Sequence, residues 1–346
     1  MIYFVIFGIL AFLAFAAMDK KYTAYIKLSS FAALFVLAIF SGLRSSEAGS
    51  DYLSYHDMFY AFKDLFNGGL AQVFSGDYFF EPGFALLIII ISSFTDNHIV
   101  FFLAISLLAS LVMAISINKL SLYPLLSILI FFSYDYFINY MVAIRFGLAA
   151  GLGLVVICLL SKNKKKLALV FILFAMSMHT AAIGFFLPFV LSIFTFKRIY
   201  IVAVLAVALI VGYVDLGNVL ISMLPGWIPR AGSAEVYASS SMYGNSLGYL
   251  GFINIKYIFL STILFLYWNN LKDRVPHFYP LAMFLVSAMA IRVGFHDLGF
   301  IVGRVSALLG LVEIIIVPAF VLLLIKQKIM AFFIVVIYAF FHLYFL

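Results

Sequence analysis

The chain has 346 residues, of which 66% are hydrophobic, 18% aromatic and only 10% charged, whereas a soluble domain carries about a quarter charged residues. That composition excludes a soluble domain, and the apolar runs are too long and uniform for the alternating strands of a membrane barrel. The net charge of +7 does not point to nucleic acid, because the basic residues are spread through the connections between apolar runs, where positive-inside sorting puts them; the partner is the lipid bilayer.

A transmembrane helix needs about 20 mostly apolar residues. Candidate helices fall at residues 2–18, 28–43, 81–94, 98–116, 122–137 and 139–161, then at 167–194, 199–214, 252–268, 278–294, 305–325 and 329–345. They predict an all-α polytopic membrane protein of about 11–13 transmembrane helices. The first run is followed, not preceded, by Lys20 and Lys21, which reads as a retained helix with its N-terminus outside rather than a signal peptide. Cys158 is the single cysteine, so no intrachain disulfide forms.

Lysine marks the cytoplasmic side: Lys20, Lys21, Lys27, Lys119, Lys162, Lys164, Lys165, Lys166, Lys197, Lys272, Lys326 and Lys328, joined by Arg198 and Arg274. The other basic residues, Arg44, Lys63, Arg145, Arg230, Lys256, Arg292 and Arg304, fall toward the opposite side. This partition needs an odd number of crossings between Arg44 and Lys119, so 81–94 or its neighbour does not fully span. It also makes 167–194 either a hairpin with His179 at its tip or one tilted span. Residues 1–346 are expected to form a single integral-membrane domain whose polar outer loops are 44–80 and 215–250.

The outer side carries the chemical variety. Lysine suffices for orientation, whereas a guanidinium forms two-point hydrogen bonds to phosphate and is effectively never neutral. Arg145 in "NYMVAIRFGLAAGLGL" and Arg292 in "SAMAIRVGFHDLGFIVGR" interrupt apolar sequence, where an ionisable group is costly. Each is a candidate anion contact, half of a structural pair with a carboxylate such as Asp135, Asp297 or Glu313, or a side chain that snorkels to the interface. His179, among Met, Ala and Phe, reads as a hydrogen-bonded core residue or, in a cavity, a proton acceptor. Glu81 precedes Pro82, so it either favours a helix N-terminus or serves in catalysis. Asp51, Asp57 and Asp64 lie near His56, but their spacing is not that of a metal site. Tyr52, Tyr55 and Tyr60 suit the headgroup belt or a sugar-stacking platform equally. There is no P-loop, nucleophile elbow or dinucleotide fingerprint, which argues against nucleotide-driven chemistry.

Five segments, "RSSEAGSDYLSYHDMF" from Arg44, "EPGF" from Glu81, "IRFGLA" from Ile144, "MHTAAIGFFLP" from Met178 and "GFHDLGFIVGRVSALLGLVE" from Gly294, resemble in order and spacing the EpsG-like branch of the Wzy-type polymerases of O-antigen, capsule and exopolysaccharide. The resemblance covers most of the chain. It departs at Phe146, where family members often carry Gln, and at Thr180, where they often carry Pro.

The resemblance implies a GT-C-like glycosyltransferase in the bacterial cytoplasmic (inner) membrane, with its active site facing outward to the periplasmic side. It would join oligosaccharide repeat units carried on undecaprenyl pyrophosphate, donor to acceptor, without metal or other cofactor, with a chain-length regulator as a candidate protein partner. A pyrophosphate leaving group accumulates negative charge, and fixed arginines can stabilise it: Arg44, Arg145, Arg292 and Arg304. The acceptor hydroxyl must lose a proton, for which Asp51 and His179 are the first candidates and Glu81 and Asp297 the next. Tyr52, Tyr55 and Arg230 are the expected glycan contacts. A lipid-linked oligosaccharide flippase, a glycan ligase and a membrane acyltransferase using His179 remain open alternatives.

Overall fold

The computed structural model describes residues 1–18, 23–67, 81–223 and 246–344, and among them all regular structure is helical. In chain order come α1 (Ile2–Ala16), α2 (Thr23–Gly42), α3 (Tyr52–Asn67), α4 (Pro82–Ser92), α5 (His98–Leu120), α6 (Pro124–Ser133), α7 (Ile144–Ser161) and α8 (Lys165–Met178). A 3-10 stretch at Thr180–Phe185 leads to α9 (Phe186–Leu191), α10 (Ile199–Tyr213), α11 (Leu216–Ser222), α12 (Phe252–Leu266) and α13 (Trp268–Lys272). The chain continues through α14 (Phe278–Gly294), α15 (Gly299–Gly310), α16 (Glu313–Leu324) and α17 (Lys328–Tyr344).

Helix starts follow local chemistry. Pro82 and Pro124 occupy the first turns of α4 and α6, where a missing N–H costs nothing. The Asn97 side chain accepts the Ile99 N–H at 2.8 Å and caps α5, satisfying one otherwise orphaned donor.

The apolar runs are helical, but many stop short of a full crossing. Among the described residues, α2, α5 and α7 are long and apolar enough to span, and α14 with α15 makes a fourth span if the pair, bent by 78°, is taken as one. Eight other apolar stretches are 10–17 residues long, about 15–26 Å at 1.5 Å per residue against a core of about 30 Å. The 81–94 run yields only the 11 residues of α4. The runs at 122–137 and 139–161 are broken by a π-helical turn at Phe137–Val142, and the 167–194 run breaks at His179. Large apolar side chains such as Phe12, Ile210 and Ile337 stand exposed on α1, α10 and α17, as a lipid-facing surface requires and a water-facing one rarely tolerates. This is a multi-pass, all-α membrane protein.

The chain divides into two compact units, one comprising Met1–Leu159, Lys166–Thr180 and Ile314–Leu346, the other Leu160–Lys165 and Ala181–Glu313. In the first, α2 runs along α5, α1 and α17 cover α6, and α3 lies on α4. Its core is aromatic, with Phe59, Phe84, Phe101, Phe102, Phe131, Tyr136 and Tyr140 almost fully buried. In the second, α10, α12 and α15 surround α14.

Candidate functional site

Each unit holds its own cluster of the polar residues singled out in the sequence. In the first unit, α3 begins directly after the polar stretch that carries Arg44 and Asp51. Arg44 is 7% exposed. Its guanidinium carbon lies 4.5 Å from the centre of the Phe102 ring and 5.6 Å from that of Tyr52, and these two rings stack on each other at 4.6 Å. Nη1 donates to the Ser41 carbonyl at 2.8 Å, while Nε and Nη2 are buried with no hydrogen-bond partner among the described residues.

One turn further along α3, the Tyr55 hydroxyl accepts from Nε of Arg145 at 3.4 Å, and the Arg145 guanidinium carbon lies 5.6 Å from the Tyr55 ring. Residues three apart share a helix face, so Tyr52 and Tyr55 set both arginines along one side of α3. Asp51, at the head of that helix, accepts from Ser50 Oγ at 3.2 Å and acts electrostatically on Tyr55 and Arg145.

Glu81 is the hub. Although it precedes Pro82, its side chain does not cap α4. One carboxylate oxygen lies 2.6 Å from Nη1 of Arg145, and the other accepts from the Thr180 backbone N–H at 3.1 Å and from Thr180 Oγ1 at 2.6 Å. A single side chain, 5% exposed, therefore ties together the start of α4, the start of α7 and the 3-10 turn after α8. Gly83 lets α4 come this close, since a Cβ there would collide with the Ser177 side chain. His179 is buried edge-on against the Phe146 ring, with centroids 5.3 Å apart, and contributes to the field at Glu81. Phe146 and Thr180 both fall inside this cluster: Phe146 packs on His179, and Thr180 supplies an N–H and a hydroxyl to Glu81.

In the second unit, the bend between α14 and α15 is built on Gly299, whose φ of 43° favours glycine. Arg292, in the last turn of α14, donates from Nε to Asn254 Oδ1 at 3.1 Å and from Nη1 to Ser306 Oγ at 3.4 Å. Asn254 is itself held by donating to the Gly248 and Tyr249 carbonyls, each at 3.0 Å. Arg304 stacks over Phe300, one turn earlier on α15, at 4.0 Å. Asp297 is buried, and its carboxylate approaches Gly217 so closely that a Cβ there would lie 2.5 Å from Oδ1. Glu313, weighed from sequence as an arginine partner, receives Lys256 on both oxygens at 3.0 and 2.8 Å.

His296 stands out here and was not singled out from sequence. Its Nδ1 lies 2.9 Å from Ser246 Oγ and its Nε2 3.0 Å from the Gly212 carbonyl. Its only sequence signal was position, next to Asp297 inside an apolar span. The acidic residues of α3 go elsewhere: Asp57 pairs with His56 at 2.9 Å, and the His56 ring lies 4.6 Å from that of His98. Among the described residues no three His, Cys, Asp or Glu side chains gather as a metal ion would need. Arg230 and the Asp64 side chain lie outside the described residues.

The first unit thus brings together Arg44, Asp51, Tyr52, Tyr55, Glu81, Arg145 and His179, and the second carries Arg292, Asp297 and Arg304. Compared with known proteins, the chain is 26% identical over 303 residues to the amylovoran biosynthesis protein AmsC of Erwinia amylovora, an overlap that covers 87% of this chain and 80% of AmsC. No solved structure matches it. The model of the EpsG family matches residues 27–346, a stretch that holds both clusters, and the chain belongs to the EpsG family.

Proposed function

We propose that this chain is a polysaccharide polymerase that joins oligosaccharide repeat units carried on undecaprenyl pyrophosphate, at the outer face of the cytoplasmic membrane. Family membership and the similarity to a protein of exopolysaccharide biosynthesis support the polymerase reading. The observation that carries the chemistry is Arg44: a buried guanidinium against a stacked pair of aromatic rings, with two nitrogens lacking hydrogen-bond partners and no ion-pair partner among the described residues. A buried charge without compensation costs several kcal/mol, and a phosphate oxygen supplies what is missing.

In this reading Arg44 binds the donor pyrophosphate and stabilises the charge that develops on it. Arg145, already neutralised by Glu81, faces the same anion beside it. The acceptor hydroxyl oxygen attacks the anomeric carbon, the bond from that carbon to the pyrophosphate oxygen breaks, and lipid pyrophosphate leaves. The hydroxyl proton passes to Asp51 or His179. Glu81, engaged by three donors, is a positioning residue rather than the base. Tyr52 and Tyr55, buried against Phe102 and Phe84, hold the two arginines in place rather than offering open faces to a glycan. Donor and acceptor each carry a pyrophosphate, and Arg292 and Arg304 provide the second unit's contacts to such an anion. No step in this scheme calls on a metal.

The test is product analysis with purified protein and one synthetic lipid-linked repeat unit. A ladder of lengthening glycans made by the wild type and lost in Arg44→Gln is the expected result. A single transfer to another acceptor would make the protein a ligase, and transbilayer movement without transfer would make it a transporter.

A further inference from the structure

The second unit contains a cavity of about 770 Å³ that the proposed glycosyl transfer does not use. It lies among connections assigned to the cytoplasmic side by their lysines. Its walls come from three separate stretches: the end of α7 through Lys165, the segment Ser192–Arg198, and Trp268 through Met283. Four cationic side chains face it, Lys165, Lys197, Arg198 and Lys272, and no carboxylate lines it. None of the four has an ion-pair partner among the described residues. Orientation signals alone would be met by lysines scattered over the surface; these converge on one hollow.

The hollow is also shaped. Trp268 forms its buried wall, packed against Phe278 at 4.8 Å, Tyr279 at 5.9 Å and Phe196 at 6.0 Å. Two corners are turned by non-glycine residues in the left-handed region, Asn163 with φ 55° and His277 with φ 60°. The second is fastened by a 2.8 Å hydrogen bond between His277 Nδ1 and Ser161 Oγ. Helices α10 and α14 both begin at this cavity, without side-chain caps or acidic residues in their first turns, so their N-terminal N–H groups add to the positive field. Beside the cations stand exposed apolar side chains: Phe194 lines the cavity, and Ile199 directly follows Arg198.

We propose that this cavity binds the phosphate headgroup of an anionic phospholipid of the cytoplasmic leaflet. Cations and helix N-termini hold the phosphate, Trp268 and Tyr279 sit at headgroup level, and Phe194 and Ile199 meet the acyl chains. Basic pockets between transmembrane helices on this side have the chemistry to bind such headgroups. The site does not depend on glycosyl transfer, and its test uses no turnover.

The chain has two tryptophans, so Trp227→Phe leaves Trp268 as a reporter on the cavity wall. The full-length variant is placed in phosphatidylcholine nanodiscs containing a graded fraction of dibrominated phosphatidylglycerol or dibrominated phosphatidylcholine. Quenching of Trp268 by the anionic lipid is expected at mole fractions at least about tenfold lower than by the neutral one, since each engaged cation adds about fivefold and two of the four already exceed that factor. The triple change Lys197→Gln, Arg198→Gln, Lys272→Gln should equalise the two lipids, and Lys272→Gln alone should reduce the preference severalfold. Equal quenching without the triple change, or a preference that survives it, overturns the proposal. A Trp268 response to millimolar inorganic phosphate but not to the anionic lipid also overturns it, because the site would then serve a free phosphate.

Discussion

Glu81→Gln is the sharpest perturbation of the first unit, because it changes one atom and removes one charge. In the native chain the carboxylate satisfies Arg145 through one oxygen at 2.6 Å and Thr180 through the other at 3.1 and 2.6 Å. A glutamine can keep its oxygen toward Thr180, but its NH2 then faces the Arg145 guanidinium, donor to donor, and the arginine loses its hydrogen-bonded counterion. Breaking a buried pair by removing one partner costs about 3–5 kcal/mol. With side chains 7% and 19% exposed, the lower end applies, about 3 kcal/mol. For a chain this long that corresponds to a fall in apparent Tm of about 5 °C, read by thermal unfolding in detergent. Arg145→Met alone should cost a similar amount by stranding the carboxylate. The double variant, which removes both charges, should cost at least about 2 kcal/mol less than the sum of the two. Polymerisation should not return with stability in the double variant, since the proposed pyrophosphate contact is gone. Additive losses would refute the ion pair as the tie between α4 and α7, and full polymerisation in the double variant would remove Arg145 from substrate binding.

Thr180→Val keeps the backbone N–H but deletes the hydroxyl that meets Glu81; it should destabilise by about 1.5–3 kcal/mol, and by clearly less in the Glu81→Gln background, which paired melts will show. Arg145→Lys cannot reach Glu81 and Tyr55 together, and Arg304→Lys loses the planar stack on Phe300; each should slow ladder formation roughly ten- to more than hundredfold at equal membrane abundance. In a Cys158→Ala background, Ser50→Cys should react with an impermeant thiol reagent from outside spheroplasts and Asn163→Cys should not; labelling at position 163 would reverse the orientation assigned from lysine.

Hydropathy alone determined that this chain lives in a bilayer and is helical, because about 20 apolar residues without charge have few other folds available in lipid. It also exposed the candidate residues: an ionisable group inside an apolar run is conspicuous in a string of letters, and Arg145, His179, Arg292 and Asp297 were visible on that ground. Hydropathy is blind to backbone breaks, however, and every one of these four residues lies within a few positions of one. An average over 18 residues runs smoothly through the π-helical turn at Phe137–Val142, the stop at His179 and the bend after Gly294, so full-length runs conceal short helices. Pairing was equally beyond a linear reading. Glu81 and Arg145 are 64 positions apart, and Glu81 and Thr180 are 99 apart, and no local periodicity connects such distances. Only the packing of α4 against the end of α8 decides that Glu81 neutralises Arg145 while Arg44, held against Tyr52 one helical turn earlier on α3, keeps two nitrogens without a partner among the described residues.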